Sequence, residues 1–166
     1  MSAAVDRVSQ IQQEWARERP DLDVSPQGVI GRLHRVGAAL TAELTVVFRK
    51  HGLGEGDFDV LAALRRAGAP FERTPGELAE HTMVTTGAMT KRIDRLIKQG
   101  LATRRVSATD GRGRVVALTE LGLRTIDLAF EEHMHNEERL LSGLSAAERE
   151  QLELLLTKWA AQLGGS

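Results

Sequence analysis

Residues 85–100 read TTGAMTKRIDRLIKQG, and their spacing decides what the neighbouring segments must be. Met89, Ile93, Leu96 and Ile97 recur at helical intervals and fall within one arc of a helix. Gly87, Ala88, Lys91, Asp94, Arg95 and Lys98 fall on the opposite arc. One face is apolar enough to pack on a domain, and the other is small and basic. Thr85 or Thr86 supplies the N-cap, and Gly100 the residue that ends the helix.

The charge of the chain is uneven around this helix. The net charge of the 166 residues is −1, yet residues 85–118 hold eight Lys or Arg against two Asp, a net of +6. Residues 1–84 carry −2 and residues 119–166 carry −5. A basic block between acidic ends points to a module that faces a polyanion. On charge alone, a solvated helix and hairpin that happen to be basic remains the competing reading.

Working outward from the helix, Thr74-Pro75-Gly76-Glu77 combines a capping box with proline at the first helical position. It opens a short helix to about His81. Before it, residues 55–67 read as a helix closed by Gly68 and Pro70, and Ser25-Pro26 opens a long one through about Lys50. Val5, Val8, Ile11 and Trp15 mark a first helix over about 5–18, ended by Pro20. After Gly100, LATRRVS and RVVALT are β-branched runs joined by the turn-rich ATDGRG, which predicts a hairpin. From Thr119 the chain returns to helix, to about Leu141. A last helix starts at the capping box Ser145–Glu148 and reaches about Gln162. Leu152, Leu154, Leu155, Leu156, Trp159 and Leu163 cover more than one face of it, which calls for dimer packing or for a crowded intramolecular core.

The order of helix, short helix, tight turn, basic helix and hairpin is that of a winged helix-turn-helix. The expected fold is mostly α with one β-hairpin wing. Three regions are expected: N-terminal helices over 1–50, a DNA-binding region over 51–118 and C-terminal dimerisation helices over 119–166. Thr86, Gly87, Ala88 and Thr90 are small enough for close approach to a duplex, and the free N–H groups of the helix start favour a phosphate. Thr86, Thr90 and Lys91 then lie near base edges, with Arg95 and Lys98 toward phosphates, and Thr85 and Gly87 complete the expected DNA-binding set. Arg104, Arg105, Arg112 and Arg114 lie in the hairpin, where Arg112 suits a narrow minor groove and Arg114 flanks it. Asp110 either orients Arg112 or is a plain turn residue.

Other classes find little support. The chain has no cysteine, hence no disulfide or thiolate chemistry, as suits a reducing cytoplasm. The start MSAAVDRVSQIQQEW lacks an apolar signal core and no run approaches a membrane span, so a soluble cytoplasmic protein is expected. His133 and His135 are two apart on a helix and diverge, so no metal is expected. GxSxG and Walker A patterns are missing, and DGRGR precedes a strand rather than a helix. The rival to DNA binding is a winged-helix protein–protein adaptor, which should have lost the basic face.

Residues 74–104 (TPGELAEHTMVTTGAMTKRIDRLIKQGLATR) and 109–122 (TDGRGRVVALTELG) resemble the MarR transcription regulators, and Leu-Thr-x-x-Gly straight after the wing makes the likeness specific. The resemblance covers essentially the whole chain. It implies a homodimer built from the terminal helices, binding a pseudo-palindromic DNA site, usually as a repressor. The first helix with Trp15, then ERPDLDVSP and DFDVLAALRR, is similar to the urate-responsive, PecS-like branch. That likeness implies an anionic effector surrounded by Trp15, Asp59, Arg66 and Arg92. Asp59 and Arg66 are seven apart and share a helix face, and Arg92 sits at the edge of the basic helix's apolar arc. An anion on Arg92 would thus bias the element that reads DNA. Against this stand simpler roles, with Trp15 as an anchor and Asp59–Arg66 as a structural ion pair. Arg65 competes with Arg66, and citrate or an aromatic carboxylate competes with urate.

Overall fold

A computed structural model describes residues 6–82, 86–106 and 113–164. The elements in chain order are α1 (Arg7–Glu18), α2 (Pro26–Lys50), α3 (Glu55–Arg66), β1 (Glu72–Arg73), α4 (Pro75–Thr82), α5 (Thr86–Lys98), β2 (Ala102–Val106), β3 (Arg114–Leu118), α6 (Glu120–Leu140) and α7 (Ala146–Gln162). The fold is mostly helical with one small sheet, as expected. Packing divides the chain into two compact units, residues 1–43 and 44–166.

In the first unit α1 starts on Asp6, whose carboxylate accepts the Ser9 N–H at 2.8 Å. Arg32 of α2 donates to the same carboxylate at 2.7 and 3.1 Å, and to Gly28 O and Ser9 Oγ at 2.8 Å each. The Ser9 N–H and the Arg32 guanidinium together hold the Asp6 carboxyl down to about 2. Val8 is buried over Gly31, where an added Cβ would stand 3.1 Å from Val8 Cγ1.

The second unit is built on α3, where Val60, Leu61, Ala63 and Leu64 are fully buried. Leu78 of α4, Met89, Ile93 and Leu96 of α5, Val116 of β3 and Ile126 of α6 close around them. Each large side chain so buried contributes about 1.5–3 kcal/mol. The apolar arc of residues 85–100 therefore does face the core. Thr74 and Glu77 exchange the expected capping bonds, as do Ser145 and Glu148. Gly100 takes φ +73°, and the Leu101 N–H reaches back to Leu96 O at 3.0 Å, a helix end that a side chain at Gly100 would strain.

The sheet has three strands in the order β1-β3-β2, all antiparallel. The hairpin is there, with Arg104 opposite Val116 and Arg105 opposite Val115. To the expected hairpin the structure adds β1, which pairs Glu72 with Ala117 and Arg73 with Val116. A two-residue Glu-Arg strand has neither alternation nor β-branched residues to announce it.

Ile126 and Ala129 of α6 belong to the same core as α3 and α5. Gly122 explains how α6 gets so close. A Cβ there would lie 1.9 Å from Leu101 O, while Thr119 Oγ1 bonds both Gly100 O and the Gly122 N–H. On α7, by contrast, no residue is buried.

Candidate nucleic-acid interface and ligand cavity

With Met89, Ile93 and Leu96 in the core, α5 turns Thr90, Lys91, Asp94, Arg95 and Lys98 to solvent. Thr86 opens the helix and Gly87 follows it. Thr85 and the wing loop with Asp110 and Arg112 lie outside the described residues. Arg114 starts β3 and is exposed, paired across the sheet with Val106. Together with Arg104 and Arg105 these two residues line a shallow hollow at the base of the wing.

Three of the basic residues have partners inside the protein, the first being Arg105, which pairs with Glu72 of β1 at 2.7 Å. Arg104 pairs with Asp94 at 2.7 Å, tying β2 to α5. Arg95 donates to Asp57 Oδ1 through Nε at 2.9 Å and Nη2 at 2.5 Å. Asp57 is almost fully buried, and its other oxygen accepts the Gly54 N–H at 3.0 Å. Arg95 is thus a tie between α5 and the start of α3, and its side chain remains half exposed. Nothing in the sequence signalled this. An acidic residue three positions into a helix reads as a solvent-facing helix-start residue, and burial of Asp57 is a tertiary fact.

The residues expected around an anion are placed as follows. Asp59 and Arg66 line one cavity of about 320 Å³ with Phe58, Ala62, Phe130 and His133, and with His81 and Thr82 at the end of α4. Burial raises the Asp59 carboxyl above its ordinary value, and Glu55 adds to the rise. The charges of Arg92, Arg66 and His133 oppose it. Arg65 does not compete for this cavity, because it pairs with Asp127 at 2.7 Å and lies over the Phe71 ring at 5.1 Å. Arg92 is not in the described lining. Its guanidinium lies against the backbone of Gly56, where an added Cβ would fall 2.2 Å from Cζ, and its Nη1 is buried without a hydrogen-bond partner among the described residues. Trp15 belongs to the first unit, on α1, and its side chain is about half exposed.

His133 enters the site by a route other than the metal chemistry weighed from sequence. Its ring lies 4.9 Å from Phe58, 5.4 Å from Phe48 and 6.2 Å from Phe130, centroid to centroid, with Nε2 3.1 Å from Glu137. The spacing Ile126, Phe130, His133 on one helix face was the available signal. Among the described residues no group of His, Asp and Glu is arranged to hold a metal, and no helix is long and apolar enough to cross a membrane.

A helix packed by one face and basic on the other, followed by a hairpin and a small-residue approach, has close counterparts among known proteins. The sequence profile of the MarR family matches residues 51–113. The HTH-type transcriptional regulator PecS of Dickeya dadantii is 41% identical over 149 residues, 90% of this chain and 90% of PecS. The chain belongs to the MarR family. A mutant MarR from E. coli, crystallised in complex with operator DNA, superposes with a TM-score of 0.69 at 29% identity, covering 82% of this chain and 98% of that one. AbsC, a MarR family transcriptional regulator from Streptomyces coelicolor, has the same fold, with a TM-score of 0.75 over 87% of this chain and 98% of AbsC at 24% identity. This MarR-family chain is a DNA-binding transcription regulator.

Proposed function

We propose that the protein is a homodimeric repressor on a pseudo-palindromic operator, released by a small anion. The observation that carries the DNA half is α5 itself, whose Met89, Ile93 and Leu96 are buried while Lys91, Arg95 and Lys98 stay exposed on the other side. In this reading Thr86, Thr90 and Lys91 meet base edges, Thr85 and Gly87 belong to the same DNA-binding surface, Arg95 and Lys98 meet phosphates, and Arg112 and Arg114 act from the wing. Phosphate neutralisation makes affinity fall steeply with salt, and an adaptor without DNA binding shows no such slope. Arg112→Ala weakens binding to all duplexes and lowers the salt slope by about one unit. Unchanged affinity and slope would remove the wing from the interface.

The anion half rests on the cavity that joins Asp59 and Arg66. The anion pairs with Arg66 and repels Asp59, whose carboxyl is also within electrostatic reach of Arg92 on α5. Loss of that balance shifts α5 and loosens DNA, for which a coupling of ~1–3 kcal/mol suffices, ~5–150-fold in affinity. The family resemblance adds Trp15 to the ligand contacts. Titrating the protein–operator complex with urate, citrate and salicylate tests this. Release is expected with at least one anion, weakened in Asp59→Asn and lost in Arg66→Ala and Arg92→Ala. If none of the three releases DNA, and the variants change only folding or DNA affinity, these residues are structural.

A further inference from the structure

Lys91, Arg95 and Lys98 share one exposed stripe of α5, yet they are not equivalent. Among the described residues Arg95 alone of the three is anchored in the protein. Its Nε and Nη2 both donate to Asp57 Oδ1, at 2.9 and 2.5 Å. These bonds use one edge of the guanidinium and leave the N–H groups of Nη1 and the second one of Nη2. The Arg95 side chain is 53% exposed, whereas that of Asp57 is only 3% exposed. A buried carboxylate therefore grips the inner edge of a guanidinium whose remaining donors are open to solvent.

Asp57 is itself well placed to act as an anchor. It is the third residue of α3, and its Oδ2 accepts the Gly54 N–H at 3.0 Å. Phe58, Val60, Leu61 and Leu64, which follow it on the same helix, are buried in the core. The free N–H groups of a helix start also favour a negative charge there. The anchor thus stands on a rigid element, and the residue it holds stands on the element that reads DNA.

Neither stability nor charge accounts for this arrangement. Replacing a buried ion pair by apolar residues of similar volume is often neutral or stabilising. A carboxylate beneath a DNA-facing helix also opposes attraction to a polyanion. Orientation is the effect that remains. A free arginine loses rotamer freedom when it meets a phosphate, and one already held has lost it during folding.

We propose that Asp57 is a positioning residue for DNA binding, which holds the Arg95 guanidinium so that its free N–H groups face a backbone phosphate before the duplex arrives. This rests on the reading that Arg95 meets a phosphate, and it adds a residue that touches no DNA. The sign of the effect separates it from simple electrostatics. Removing an acidic group near a DNA-facing surface strengthens binding if charge alone matters. Removing a positioning carboxylate weakens it.

The test is a titration of the full chain with the duplex that it selects from a randomised pool. Wild type, Asp57→Asn, Arg95→Ala and the double variant are compared, each well below its melting temperature. Asp57→Asn is expected to weaken binding about three- to tenfold, the size of the ordering cost of one long side chain. Arg95→Ala is expected to weaken binding and to lower the salt slope by about one unit. In the Arg95→Ala background, Asp57→Asn is expected to change affinity by less than about twofold, because the two residues act as one unit. Unchanged or tighter binding by Asp57→Asn, with Arg95→Ala still weakened, overturns the positioning role and leaves the phosphate contact standing. An equal loss from Asp57→Asn with and without Arg95 shows that the carboxylate acts through the fold, and overturns it as well. If Arg95→Ala binds like wild type, the phosphate contact falls and the proposal with it.

Should Asp57→Asn fail to fold, the wild-type protein decides the matter. The NMR signal of Arg95 Nε–H, assigned by its loss in Arg95→Lys, is expected to exchange slowly with water in the free protein and to persist in the DNA complex. Fast exchange in the free protein, or loss of the signal on DNA binding, overturns the proposal.

Discussion

At Gly122 a single hydrogen atom decides whether α6 can start where it does. The Leu101 carbonyl occupies the place a methyl group would need, and it belongs to backbone that Thr119 bonds from both sides, so it has little room to retreat. Gly122→Ala is expected to destabilise the fold by about 1–3 kcal/mol, the usual range for overpacking, read as a lowered melting temperature. Asp59 makes the opposite kind of case. Its raised carboxyl pKa means the folded chain holds that proton more tightly than the unfolded chain does. The stability it contributes is full in acid and lost as pH rises through the raised pKa. Asp59→Asn is therefore expected to gain on wild type in melting temperature between mild acid and neutral pH, and a constant difference across that range would contradict the assignment. Both positions were visible in the sequence, Gly122 as part of Leu-Thr-x-x-Gly and Asp59 as a helix-face partner of Arg66. What the sequence lacked was the reason, since a close backbone approach and a half-buried carboxyl are consequences of packing.

At the scale of the element, α5 was legible because its pattern is local. An apolar arc, a flanking glycine and a capping box upstream are written in consecutive residues, and the structure uses each of them. The ties that fix α5 against its neighbours are not local. Asp57 is 38 positions from Arg95 and Asp94 is 10 from Arg104, and no spacing rule connects such pairs. These ties separate two residues that sequence had grouped as phosphate contacts. Lys98→Ala is expected to weaken operator binding and reduce its salt slope with the melting temperature unchanged. Arg95→Ala leaves a buried carboxylate without its partner and is expected to cost about 1.5–3 kcal/mol as well, since solvent reaches the half-exposed guanidinium and softens the loss. Arg95→Lys restores part of the stability through one donor in place of two. Equal stability of the Lys98 and Arg95 variants would return Arg95 to a purely DNA-facing role.

The whole molecule is where the isolated chain is least satisfied. Leu152, Leu154, Leu155 and Leu156 lie in succession on α7, each at least two-fifths exposed, and no residue of that helix is buried. Val29, Ile30, Leu33, Val36 and Leu40 on α2 are exposed as well. Solitary exposed leucines are ordinary, but apolar residues repeated along a helix mark a surface that another chain covers. A second copy is the economical occupant, because a two-fold dimer presents two recognition helices to two half-sites about one helical turn of DNA apart. If the terminal helices are the interface, folding and association are linked, and the melting temperature of wild type rises with protein concentration. Leu155→Asp places a charge in the middle of the apolar run. It is expected to shift the protein toward monomer in sedimentation, to lower the melting temperature, and to weaken binding to a full operator far more than to a single half-site. Binding to a half-site should survive, because α5 and its core lie elsewhere. A wild-type protein that sediments as a well-folded monomer at micromolar concentration, with a melting temperature independent of concentration, would sink the dimer.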